Sequence, residues 1–590
     1  MDNLDYGIIG NCRTAALVSK KGSIDWCCLP EFDSASVFAK LLDDNIGGQF
    51  GFRNADEYTI NQNYIENTCV LETHFENETS AFKVLDFLPR YVKRDLTYHS
   101  PPEIIRYIKV LKGTPEVIVD YNPKLEYARC KTFTYNKNKF IVSLTEEEDF
   151  FDSMYLYTNL NRDTIIDSKR IKLKEDSFFL ISYNEKIDTP DLTMVDLEYE
   201  RTKLYWLNWC YRTPNFKHFH KEIIRSAMTL KLLSYDKSGA ILAAATTSLP
   251  ETIGEVRNWD YRFCWIRDSS MVVNVISKLN HNRMTKRYLQ FIIDLIPDKN
   301  EKLQIMYGIN KEKKLTEYFL DHLSGYKNSS PVRIGNAAYK QKQNDIYGIL
   351  MDVIYQELVK FNCDIENKEE LWTLTKGIAW VVQHHWTEPD KGIWEFREED
   401  RHFTFSKVLC WVAIDRAIKV SKMLGKSAKL ERWQALEMEI KHDILDKAWN
   451  EKVQAFTQSY DSDDLDASVL LMEPYGFIPA KDPKYVKTVE AIGRELTNDG
   501  LLYRYKNKDD FGLPESSFTI CTFWYINSLN KIGRTPQALE QFKTLLSYSN
   551  HLGLFSEDID FKTKRLLGNF PQAYSHLALI ETAMNFERVM

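Results

Sequence analysis

The 590-residue chain has no basic excess: 77 Lys and Arg stand against 84 Asp and Glu, a net charge of −7. A nucleic-acid binder needs cations in surplus or gathered on one face, so no nucleic-acid partner is expected. Long apolar runs are also missing. The most apolar stretches, Ala240 to Ala245 and Ile378 to Val382, fall far short of the roughly 20 residues that cross a bilayer. Met1 to Arg13 has neither the basic start nor the apolar core of an export signal. The expectation is a cytoplasmic protein with no membrane partner. Cysteine is sparse, 10 residues in all, and the adjacent pair Cys27-Cys28 has neither zinc nor redox spacing. Reduced, mostly buried thiols follow. Histidines are few as well: His218 and His220 fall on different faces of a helix, and His384-His385 are adjacent, so neither pair makes a metal site. Gly425-Lys426-Ser427 looks like the end of a phosphate loop, but Val420 stands where its first glycine is required. No cofactor and no metal are expected.

What the chain does have is apolar residues at 44% and aromatics at 13%, enough for large cores and, at this length, for two domains. Up to about residue 195 apolar residues alternate with polar ones in short runs, as in Phe82 to Leu88, Ile104 to Val110 and Phe178 to Tyr183. Turn clusters such as Lys20-Lys21-Gly22-Ser23 separate them, which predicts an antiparallel β-sandwich over 1–195. From Thr193 the period lengthens to that of a helix. Leu197 to Tyr211, ending before Pro214, reads as a helical linker over 196–214. Beyond it the periodicity predicts about twelve helices, at 216–235, 267–280, 282–296, 344–361, 368–386, 404–424, 427–448, 465–474, 483–497, 517–532, 535–548 and 571–588. Strongly apolar helices such as Phe405 to Val420 alternate with charged ones such as Ala428 to Ala448. An inner ring wrapped by an outer one follows, an (α/α)6 barrel over 215–590, and no repeat period points to a solenoid. The fold class is therefore α+β and multidomain.

Three loops carry the chemistry. Arg257 to Asp268 packs two Trp, two Asp and three Arg just ahead of an apolar helix. Aromatic planes that stack on a sugar, with Arg and Asp for its hydroxyls, would explain the mix, and so would a buried ion-pair network that anchors the loop. Gly392-Ile393-Trp394-Glu395-Phe396-Arg397 sets a carboxyl between two aromatic residues. Poor solvation there would keep Glu395 protonated, as a general acid requires, although a structural Glu395 fits equally well. The following Glu398, Glu399 and Asp400 read as a solvated acidic run. The third loop, Gly553 to Asp560, offers Glu557, Asp558 and Asp560 ahead of Gly568-Asn569-Phe570-Pro571-Gln572-Ala573. Two carboxylates on separate loops of one rim are the minimum for glycoside hydrolysis, and spacing does not choose among these three.

With these motifs in family order, the chain resembles glycoside hydrolase family 15, the glucoamylase and trehalase family, nearly end to end. The likeness also includes Ile9 to Val18, Gly22-Ser23-Ile24-Asp25-Trp26 and Pro331 to Ala338. It implies a β-sandwich, a helical linker and an (α/α)6 barrel, and an inverting, exo-acting α-glucosidase that releases β-glucose. By the resemblance Glu395 takes the general acid position and Glu557 the general base position. Arg267 and Asp268 match the pair that holds the nonreducing glucose, Tyr261 the aromatic near the oxocarbenium-like centre, and Trp265 and Trp394 the apolar walls. Arg397, Asn336, Gln343, Asp345, Arg504 and Glu515 complete the implied binding set. Fungal glucoamylases follow the acid with a second Glu, where this chain has Phe396. Starch-type specificity is therefore not carried over, and a small oligosaccharide or disaccharide is the expected substrate. The leading expectation is a glucoamylase-type enzyme acting on small glucosides. A trehalase is the alternative, with a noncatalytic sugar-binding protein or a phosphorylase further off. The oligomeric state stays open, a homo-oligomer included.

Overall fold

The computed structural model describes residues 3–145, 151–295, 303–360, 365–397 and 399–588, which leaves Glu398 of the acidic run outside. The first part is built from two antiparallel sheets of seven and eight strands. The alternating runs form the strands Ala81–Phe87, Glu103–Lys112 and Ser177–Tyr183, which sit side by side in the larger sheet. Ser177–Tyr183 is buried along its whole length rather than on one face. Its second face is covered because the helix Leu192–Tyr211 packs there, setting Val195 and Tyr199 against Leu85, Phe87, Ile105, Phe178 and Leu180. Between the two sheets Arg106 is buried and fully engaged, donating to Asp86 at 2.8 Å and to the Phe50 carbonyl at 2.6 Å. Such a cation is tolerable in a core only with partners of that kind.

Eleven of the twelve predicted helices are α-helices, and the segment predicted at 465–474 is instead a 3-10 helix, Ala467–Met472, capped by Asp466. The inner ring runs through Ile266–Lys278, Asp345–Lys360, Thr404–Met423, Ala467–Met472, Thr519–Ile532 and Ala573–Glu587, each touching the next, and the last packs against the first. Thr404–Met423 shows why the sequence alternated: nearly every residue from Thr404 to Ser421 is buried, whereas the neighbouring Leu430–Lys447 buries only Trp433, Leu436, Ile440 and Ile444. Only a helix surrounded by others can bury most of its circumference.

The sandwich is bolted to the barrel. The Trp26 indole donates to the Ala245 carbonyl at 2.9 Å, Arg262 donates to the Ser34 carbonyl at 2.9 Å, and Asn550 donates to the Leu4 and Tyr6 carbonyls. Arg262 is also doubly bonded to Asp260. That part of the Trp259 to Asp268 segment is thus an anchoring ion pair, and the remainder is free to serve the site. Among the described residues no helix is long and apolar enough to cross a membrane.

Candidate active site

The three loops meet at one end of the barrel, where the inner helices begin. Trp265 precedes Ile266–Lys278, the Glu395 loop precedes Thr404–Met423, and Gln572 caps Ala573–Glu587. They line a cavity that opens to solvent. Of the residues named from sequence, Tyr261, Trp265, Arg267, Asp268, Trp394, Glu395, Arg397 and Arg504 line it.

Arg267 organises one wall. Its guanidinium donates to the Tyr574 hydroxyl at 2.7 Å, to Gln343 Oε1 at 2.6 Å and to Asp345 Oδ2 at 3.2 Å, and lies 3.5 Å from Glu395. Gln343 and Asp345 therefore stand behind the lining and hold Arg267. Burial pushes the Asp268 carboxyl up to about 7, against the opposing pull of Arg267. Its Oδ2 is buried and lies 3.6 Å from Arg267 Nε. Asn336 is buried away from the lining and caps the short turn Ala337–Lys340, while Glu515 is exposed and does not reach the cavity.

Glu395 sits at φ 62, in the left-handed region, at the end of a turn that begins at Gly392. This reversal turns the Glu395 side chain away from the two aromatic residues that flank it in sequence. Phe396 packs onto Phe403 and Tyr505, and Trp394 packs onto Phe518 and Trp524 while donating to Asp466 at 2.8 Å. The groups that meet the Glu395 carboxylate are instead polar. The Trp265 indole N–H donates to it at 2.8 Å, and Arg267 lies beside it.

Glu557 lies just behind the lining, 1% exposed. Its Oε1 accepts the Tyr261 hydroxyl at 2.6 Å and its Oε2 accepts the Asn569 N–H at 3.2 Å. Burial, then the charge of Glu251, push its carboxyl well above the usual range. Gly568 explains how the loop packs so tightly: at φ 72, a Cβ there would fall 2.7 Å from the Glu557 side chain. Gly568→Ala is therefore expected to displace Glu557 and lower kcat by about 100-fold with KM little changed, measured by steady-state kinetics.

Sequence reasoning missed Glu251, Tyr574, Asp509 and Phe511, all of which line the cavity, and named Arg257 only as part of its loop. Glu251 accepts both terminal nitrogens of Arg504, at 3.1 and 2.9 Å. Oxygens of Glu251, Glu557 and Asp558 lie within 4.8 Å of one another, the arrangement a cation would require, and Arg504 brings a positive charge to it. Beside this group, where the Glu251 N–H donates to the Arg257 carbonyl at 2.9 Å, Arg257 binds Asp509, and Phe511 packs edge-on to Trp259 beneath Arg257 and Arg397. Glu251 carried no spacing signal. Its side chain is held by Arg504, 253 residues away in the chain.

Residues 217–584 match the family model described as Glycosyl hydrolases family 15, and residues 5–171 match one described as Trehalase-like, N-terminal. A trehalase of Thermoplasma volcanium is 35% identical, the match covering 99% of this chain and 93% of the relative. A trehalase of Mycolicibacterium smegmatis is 36% identical over 99% of this chain and 91% of its own. A bacterial glucoamylase solved in complex with acarbose superposes with a TM-score of 0.72 over 99% of this chain and 94% of that one. At 13% identity the likeness is one of fold: a sheet-rich N-terminal part followed by an (α/α)6 barrel.

Proposed function

Because the chain belongs to glycosyl hydrolase family 15 and is a glycosidase, we propose that it is an inverting trehalase, cleaving α,α-trehalose into two glucose molecules. The observation that carries the substrate is the near full-length similarity to proteins named trehalase. It favours the disaccharide over the glucoamylase-type reading that the sequence put first. The cavity fits this: Phe396 lines it while packing on Phe403 and Tyr505, and with Arg257, Trp259, Arg397 and Phe511 it bounds the space we assign to the leaving sugar.

Glu395 acts as general acid on the glycosidic oxygen, since it lines the cavity beside the Trp265 indole. Glu557 acts as general base toward water on the other face of the ring, with Tyr261 between it and the cavity. Asp268, held by Arg267 and lining the cavity, takes hydroxyls of the nonreducing glucose. Such a division, one protonated carboxyl and one ionised, is the requirement of inverting hydrolysis.

An activity panel of trehalose, maltose, maltotriose, isomaltose and kojibiose tests the substrate. Trehalose is expected to exceed the others in kcat/KM by about 100-fold or more, a margin for a site built around one linkage. A larger value for maltotriose would return the enzyme to the glucoamylase type. Stereochemistry gives an independent check. Inversion at one anomeric carbon of trehalose, with the leaving glucose keeping its α configuration, yields α- and β-glucose in equal amounts before mutarotation. Proton NMR showing only the α anomer would exclude the inverting mechanism.

A further inference from the structure

Glu251, Glu557 and Asp558 form a buried group of three carboxylates with oxygens within 4.8 Å of one another. The guanidinium bonded into this group is that of Arg504, so full ionisation would leave two uncompensated negative charges in a site without solvent. The group must keep a proton, and the hydrogen bonds discriminate among the three places for it. Glu251 is held by both terminal nitrogens of Arg504. Glu557 accepts the Tyr261 hydroxyl and the Asn569 N–H. Asp558 accepts one neutral hydroxyl, from Ser516 at 2.9 Å on Oδ1, and its Oδ2 is buried without a donor. An ionised oxygen in that position would be the least stabilised of the group, whereas protonation of Asp558 supplies a donor to a carboxyl whose neighbours Glu251 and Glu557 have oxygens within 4.8 Å.

We propose that Asp558 is a positioning residue that keeps the group's proton on Oδ2 and thereby leaves Glu557 ionised to act as base. This rests on the assignment of Glu557 given above. The strand pairing fixes the geometry: Asp558–Ile559 lies between Ser517–Phe518 and Leu566–Leu567, so Asp558 cannot swing away from its neighbours. The groups facing Asp558 are Glu251, Glu557, Arg504 and Ser516, with the Cys521 thiol nearby. Tyr261 lies beyond Glu557, and the Arg257 and Asp509 pair beyond Glu251 and Arg504. Burial and the two glutamates hold the Asp558 carboxyl well above the ordinary range, in agreement with the hydrogen-bond count.

The acid limb of the kcat/KM profile reads the ionisation of Glu557 and separates the outcomes. Asp558→Asn keeps a neutral donor, so the limb is expected within about 0.3 pH unit of wild type and kcat within about tenfold. Asp558→Ala removes the donor and is expected to raise the limb by about one unit, a shift that Asn rescues and a merely structural role would not produce. If Asp558 were ionised, Asn would delete a negative charge within 4.8 Å of Glu557, and the limb would fall by about two units. A fall of that size overturns the proposal, as does a kcat loss above about 100-fold in Asp558→Asn with native circular dichroism. Should Asp558→Asn fail to fold, Ser516→Ala serves. Removing that donor leaves the limb in place if Asp558 is already neutral, and moves it by about a unit if Asp558 is charged. Turnover retained in Glu557→Gln would instead sink the base assignment, leaving the location of the proton to be read from the infrared difference between wild type and Asp558→Asn.

Discussion

Replacing Glu395 or Glu557 by Gln is expected to lower kcat by about 10³-fold or more, since each removes a proton-transfer group and leaves its hydrogen-bonding shape in place. Steady-state kinetics on trehalose measures this, and unchanged turnover in either variant would take that residue out of the mechanism. The two should differ in stability. Glu557 is fully buried among Glu251 and Asp558, and its carboxyl is held above the value it has in an unfolded chain. The folded state then binds a proton more tightly than the unfolded state, so this group's contribution weakens as pH rises from the ordinary carboxylate range, about 4.3, toward its folded value. Glu557→Gln abolishes that loss. Its thermal midpoint near neutral pH is expected to exceed wild type by about 1–3 °C, and the gain should shrink as the pH is lowered toward 4. A lower midpoint at pH 7 would show that the hydrogen bonds Glu557 makes to Tyr261 and Asn569 outweigh its crowding with Glu251 and Asp558. Glu395 is half-buried beside a guanidinium and an indole, so Glu395→Gln gives no comparable gain.

The fold was readable because it follows from patterns that packing enforces. Thr404–Met423 must be apolar on all sides if it is encircled, and Ala81–Phe87 must alternate if one face is covered. The segment near 470 misled because Ala467 to Met472 is as buried as its neighbours, and a short run of buried apolar residues does not distinguish a 3-10 turn from an α-helix. At the site, residues before inner helices were legible, because a Trp, Arg and Asp mix ahead of an apolar helix has few other uses. Environments were not. Glu395 was expected between Trp394 and Phe396, and the positive φ at that single residue gives it a different set of neighbours. Glu251 and Phe511 are placed by contacts between distant loops, with Arg504 and with Arg257, for which local sequence has no period or spacing.

Arg267→Lys is expected to reduce kcat/KM by about 10³-fold, and its stability should move in the direction opposite to that of Glu557→Gln. The guanidinium spans four partners at once, Tyr574, Gln343, Asp345 and Glu395. A lysine ammonium is a point charge with rotatable donors and cannot reproduce that fork. Asp345 is fully buried and its Oδ1 already lacks a donor, so a lysine that cannot reach Oδ2, Gln343 and Tyr574 together leaves this buried carboxyl poorly paired. The cost is expected to be at most that of a broken buried pair, about 3–5 kcal/mol, read as a drop of several degrees in thermal midpoint. Asp268 loses its support at the same time, which should appear as a raised KM in addition to a lowered kcat, because ground-state binding of the nonreducing glucose goes with it. Two inactive variants, one more stable than wild type and one less, would separate the group that performs chemistry from the one that holds the site together. If Arg267→Lys kept its midpoint and lost only kcat, Arg267 would belong with the reacting groups, and the framework role assigned to it would be wrong.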